Sequence, residues 1–141
     1  MRERVAAARV GRLATLGAEG RPHLAPICFA LEGDTLYSAV DEKPKRSRRL
    51  QRLQNIRLHP EVTVLVDHYE EDWTHLWWVR LDGEATVLEQ GPERERVLAL
   101  LQAKYEQYRA EPPTGPVIAV RVARWRAWSS IGSTRPSWPP S

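Results

Sequence analysis

Three strand-like runs, RVGRLATLG (9–17), GRPHLAPICFAL (20–31) and TLYSAV (35–40), follow one another with only turn signals between them. GAEG (17–20) separates the first two, and EGD (32–34) separates the second and third. Connections this short cannot return the chain to the start of a parallel neighbour, which takes a crossover of about a dozen residues or more. The first 40 residues therefore predict an antiparallel meander, and any fold built on regular βαβ alternation is a poor match.

The rest of the chain extends that pattern. RERVAAAR (2–9) reads as a short N-terminal helix, and EVTVLVDH (61–68) as a strand buried on both faces. THLWWVRLDGEATVLE (74–89) is long enough for one bent strand or for a hairpin interrupted at Asp82-Gly83. PERERVLALLQAKYEQYRA (92–110) begins with Pro92 and first-turn acids, and its apolar residues recur at helical spacing. PPTGP (112–116) ends that helix, and VIAVRVARWRAW (117–128) alternates as a closing strand. Mostly short sequential connections favour a mainly β fold, a small antiparallel barrel with helices on its rim. No Gly-rich phosphate loop opens a helix, so a dinucleotide-binding fold is a poor fit. The length suits one domain over residues 1–130, followed by a Ser/Pro-rich tail over 131–141.

Charge is concentrated, although the formal net charge is only +3. Lys43, Lys45, Arg46, Arg48, Arg49, Arg52 and Arg57 lie in one stretch that contains no acid. KPKRSRRLQRLQNIR can form a helix, but its cations crowd the end where the macrodipole favours anions, and several are like-charged neighbours. Three readings remain: a solvated face, a phosphate or carboxylate site at a helix start, or a nucleic-acid contact. The last is the weakest, because no aromatics interleave the basic residues. DHYEEDWTHLWWVR (67–80) is the counterpart, holding Tyr69 and three of the six tryptophans, Trp73, Trp77 and Trp78. As strand neighbours, Trp77 and Trp78 face opposite sides, one toward the core and one toward a ligand or a partner.

Other chemistries find little support. A single cysteine, Cys28, rules out a disulfide framework and a multi-cysteine metal site. His68 and His75 are poorly spaced for metal ligation, so no metal is expected. There is no Gly-x-Ser-x-Gly elbow and no Ser/His/Asp set, and no catalytic residue is assigned. Without a long apolar run or a signal-peptide pattern, the expectation is a cytoplasmic protein that does not enter a membrane.

Residues 9–129, with the Lys-Pro-Lys-Arg segment, DHYEEDWTHLWWVR and the closing VARWRAW in that order, resemble the split β-barrel oxidoreductases of the pyridoxamine-5'-phosphate-oxidase-like group. The chain is most similar to the B-type flavin/deazaflavin branch, which uses coenzyme F420. The resemblance implies a homodimer with a cofactor site at each subunit interface and hydride transfer to a small organic acceptor. It implies that Lys43, Lys45 and Arg46, with Arg49 nearby, meet the cofactor phosphate. The ring is then expected against the backbone of Pro26, Ile27 and Cys28 and of Ser38, Ala39 and Val40. Tyr69, Trp73, Trp77 and Trp78 are expected near the interface, some from the other subunit. True pyridoxamine-phosphate oxidases carry Arg-Leu-x-Pro near the C-terminus, where this chain has RWRAW; that argues against their substrate. FMN, in an oxidase or electron-transfer flavoprotein of the same fold, is the alternative to F420. A nucleic-acid or cofactor-binding module is the non-enzymatic one.

Overall fold

The structure, a computed structural model, describes residues 1–40 and 46–131, and of residues 46–50 the backbone alone. In chain order the elements are α1 (Arg2–Ala7), β1 (Gly11–Leu16), β2 (Pro22–Ile27), β3 (Ala30–Glu32), β4 (Thr35–Ala39), α2 (Arg46–Leu58) and β5 (Glu61–His68). A 3-10 turn (Trp73–His75) leads into β6 (Trp77–Leu88), followed by α3 (Pro92–Lys104), α4 (Glu106–Ala110) and β7 (Val117–Ser129). All strand pairs are antiparallel, in the order β2-β1-β5-β6-β7-β4-β3.

That order corrects the expected meander. β1 pairs with β2 as expected, but the run 20–31 is two strands, β2 and β3, at opposite edges of the sheet. Only Cys28 and Phe29 separate them. Three Cα steps reach at most about 11 Å, whereas seven strands laid flat span about 29 Å. The sheet must therefore curl until its two edges meet, which makes the barrel. Local turn signals could not reveal this, because Pro22–Ile27 and Ala30–Glu32 each choose their neighbour by long-range pairing.

Alternation decides what the barrel encloses. Leu13, Phe29, Leu36, Val64, Val66, Leu81 and Ile118 are fully or almost fully buried in one cluster. Leu53 and Ile56 of α2 belong to the same cluster. Asn55 anchors the helix there by donating to Thr15 Oγ1 at 3.1 Å and accepting from Gln51 Nε2 at 2.9 Å. On the other face of β3, β4 and β7, α3 lays Val97 and Leu101 over Tyr37, Ala39, Val117 and Ala119. β5 is buried on one face only: Val62, Val64 and Val66 are buried, while Thr63, Leu65 and Asp67 are half-exposed. That second face is only partly buried, so the expectation of burial on both sides fails.

The Asp82-Gly83 pair does not end a hairpin; β6 runs straight through it. The register slips there, with Asp82 opposite Arg124 and Gly83 opposite Val122, which leaves Ala123 over as a bulge. The β7 backbone then passes so close that a Cβ on Gly83 would lie 2.3 Å from the Arg121 carbonyl oxygen. The expected single helix over 92–110 also breaks, at Tyr105, whose extended backbone separates α3 from α4. Its side chain is committed to the barrel seam.

Candidate functional site

The seam is where the curled sheet fails to close. Among the described residues β2 pairs only with β1, and β3 accompanies β4 only as far as Tyr37. Ser38 and Ala39 therefore have β7 on one side and no strand on the other. The two loose edges are pinned together where Ser38 Oγ donates to the Cys28 carbonyl oxygen at 2.8 Å. Both residues belong to the strips expected to hold a cofactor ring, and the structure brings those strips side by side. Ile27, Ser38, Ala39 and Val40 are buried, Cys28 is half-buried and Pro26 is exposed. Backbone groups on strand edges that lack a neighbour call for other partners, and a flat heterocycle with donors and acceptors on its rim supplies them. The strips thus fit a flavin-like ring.

Behind the seam, the α3–α4 break supplies side chains that the helical periodicity had concealed. Tyr105 Oη accepts from Phe29 N–H at 3.0 Å and lies within donating distance of Arg9 O (2.9 Å) and Phe29 O (3.1 Å). It thereby satisfies the peptide group of Phe29, which lies between two strands and belongs to neither. Lys104 Nζ also donates to Phe29 O at 2.9 Å and rests 4.0 Å from the centre of the Phe29 ring. Burial, and then the nearby Arg9 cation, lower the Lys104 pKa to about 8. Burial raises the Cys28 thiol pKa, partly offset by the charge of Lys104. Burial raises the Tyr105 phenol as well. The clue to Lys104 in the sequence is that it is the only lysine outside the basic run.

Four residues are the expected phosphate ligands. Lys43 and Lys45 lie outside the described residues, as do the side chains of Arg46 and Arg49, whose backbone is in the first turn of α2. The four aromatics do not form one wall within this chain. Trp77 packs against the barrel core and stacks on His68 with ring centres 6.4 Å apart. Trp78 is opposite Trp128 in the β6–β7 register, its side chain directed to the other face. Tyr69 and Trp73 are about half exposed on the loop between β5 and β6.

That loop is ordered by a carboxylate. Glu70 accepts from His75 Nδ1 at 2.8 Å and is 2.5 Å from His68 Nε2, so the spacing that looked unhelpful in sequence closes around it. Hydrogen bonds from the two imidazoles hold the Glu70 carboxyl below its ordinary range. The Glu70 hydrogen bond, and then the charges of Asp72 and Glu70, raise the His75 pKa. Donor atoms of Glu70, Asp72 and His75 lie within 4.8 Å of one another on the surface. No described helix is long and apolar enough to cross a membrane.

Comparison with known proteins agrees with the fold. The family model described as pyridoxamine 5'-phosphate oxidase matches residues 1–129. No curated protein matches the chain. Among solved structures, a conserved hypothetical protein from Mycobacterium tuberculosis is 21% identical, with a TM-score of 0.72 over 96% of this chain and 87% of its own. An FAD-binding protein from Mesorhizobium loti is 20% identical, with a TM-score of 0.67 over 89% of each chain. The heme storage protein HutZ from Vibrio cholerae is 14% identical, with a TM-score of 0.69 over 91% of this chain and 90% of its own. At such identities these likenesses speak to the fold alone.

Proposed function

We propose that this chain, which belongs to the pyridoxamine 5'-phosphate oxidase family, is an F420-dependent oxidoreductase that reduces a small organic acceptor. The reading rests on one observation above the others: two strand edges without outer neighbours among the described residues, locked together by the Ser38–Cys28 hydrogen bond, in the two strips expected to hold the ring. When bound, the deazaflavin supplies a hydride for an activated double bond. The protein positions it. The backbone of Pro26–Cys28 and Ser38–Val40 lines the ring, and Ser38 sets the width of the gap. Lys43, Lys45 and Arg46, with Arg49, neutralise the phosphate. In a homodimer, Tyr69, Trp73, Trp77 and Trp78 come from the interface side and exclude water. Seven cations in one stretch suit the longer acid-tailed F420 better than FMN.

Parallel fluorescence titrations with F420 and FMN test this. Native protein is expected to bind F420 more tightly, and the double variant Lys45→Ala, Arg46→Ala to lose at least about tenfold in affinity with little change in thermal stability. Unchanged binding of both cofactors by the variant would refute the phosphate site. Preference for FMN would move the protein to the flavin-dependent reading. Failure to bind either, with nucleic-acid affinity that falls steeply with salt, would make it a binding module.

A further inference from the structure

The C-terminal end of α3 carries more positive charge than a helix end requires. Arg109 donates to the carbonyls of Gln102 at 2.8 Å and Ala103 at 3.3 Å, and Arg9 donates to the carbonyl of Lys104. Those contacts serve the last free carbonyls and already exceed the roughly half negative charge of the helix terminus. Lys104 is a third cation, and its ammonium turns away from the helix end toward the seam. The carbonyl it reaches, Phe29 O, also lies within reach of Tyr105 Oη, so that acceptor has a second partner without it. Among the described residues no carboxylate lies within ion-pair distance of Lys104 or Arg9. Burial and Arg9 depress the lysine, as expected of an ammonium held half out of water without a counter-ion. Cys28 lies between buried Ile27 and Phe29, close enough for its charge and that of Lys104 to act on each other.

We propose that Lys104 and Arg9 form an oxyanion subsite beside Cys28 that receives the carboxylate or phosphate group of the acceptor. Anion binding stands on the cation pair itself; assigning the anion to the acceptor rests on the oxidoreductase reading. Both cations lie near Tyr105, with Arg9 5.7 Å and Lys104 5.3 Å from its ring centre, and the Arg9 charge acts on Lys104, so an oxyanion beside them meets two donors. Its position beside the ring-lining strip selects small anionic acceptors over neutral ones, by charge rather than by shape.

Cys28 is the sole cysteine and reports on the subsite directly. Alkylation of the full chain by iodoacetate, an anion, is compared with alkylation by neutral iodoacetamide. The ratio of the two rates cancels thiol acidity and access. At low ionic strength it should exceed the ratio for glutathione by about fivefold, the effect of one nearby charge in water. Inorganic phosphate and succinate, in separate arms, show which oxyanion is preferred by slowing the iodoacetate reaction alone. Lys104→Met, which leaves Arg9 in place, should lower the ratio several-fold toward that of glutathione, and Lys104→Arg should retain it. Broadening of the phosphorus resonance of inorganic phosphate, present with native protein and lost with Lys104→Met, reads the subsite without the thiol. Equal ratios in native protein and Lys104→Met, with no difference in phosphorus broadening, would overturn the proposal. A chain that passes these tests but binds no F420 keeps the anion subsite and loses the acceptor.

Discussion

Lys104 should cost this fold stability at neutral pH. Its pKa falls from the ordinary 10.5 to about 8 in the folded chain. Below pH 8 both folded and unfolded chains carry the charge, and the folded one bears its full desolvation. Between pH 8 and 10.5 the unfolded chain holds the proton more often, so unfolding takes protons up and stability rises with pH. A difference of that size would be worth roughly 3 kcal/mol for a fully buried group. Because the side chain is half-exposed, solvent screening leaves about 1 kcal/mol. Lys104→Met keeps the stem packed on Phe29 and removes the charge, and Tyr105 Oη remains within reach of Phe29 O. The variant should therefore be more stable than native protein at pH 7 by about 1 kcal/mol, or about 3 °C in melting temperature. The gap should close as pH approaches 10. Urea denaturation of both chains at several pH values from 7 to 10 measures it, and other titrating groups cancel in the difference. A variant that is less stable at pH 7, or a gap that does not vary with pH, would refute the reasoning.

Two further perturbations probe the frame around the site. Gly83→Ala must push the bulged β7 backbone away from a Cβ 2.3 Å from Arg121 O, and should cost about 3 kcal/mol in urea denaturation; a loss under about 1 kcal/mol would mean the strands separate easily. His75 gains its partner in the folded state, so its contribution is full below its unfolded pKa near 6.5 and disappears as pH rises through the higher folded one. An imidazole titration by NMR should place its midpoint above 6.5, and Glu70→Gln should lower it; an unmoved midpoint would mean that Glu70 is not the cause.

Much of this architecture is legible locally. Turn signals bound β1, alternation in the sequence marks β4 and β7, Pro92 with Glu93 and Glu95 marks the start of α3, and adjacency alone sends Trp77 and Trp78 to opposite faces. The site is only half legible. Resemblance selects the strips around Cys28 and Ser38, but the residues that work on the seam from behind, Lys104 and Tyr105, look like ordinary members of a helical repeat. Tyr105 leaves the helix because a peptide group far away in sequence, that of Phe29, needs its hydroxyl.

From sequence alone come the antiparallel character of the chain, its strands and helices, and the concentration of cations in and just before α2, since each follows from turn chemistry, side-chain period or composition within a few residues. Tertiary structure alone decides that β2 and β3 part at Cys28 and lie at opposite edges, that Ser38 locks the resulting gap, and that Lys104 is held against it with no carboxylate partner among the described residues. Strand neighbours and counter-ions are chosen by the energy of the whole assembled sheet, and no short window of residues contains that sum.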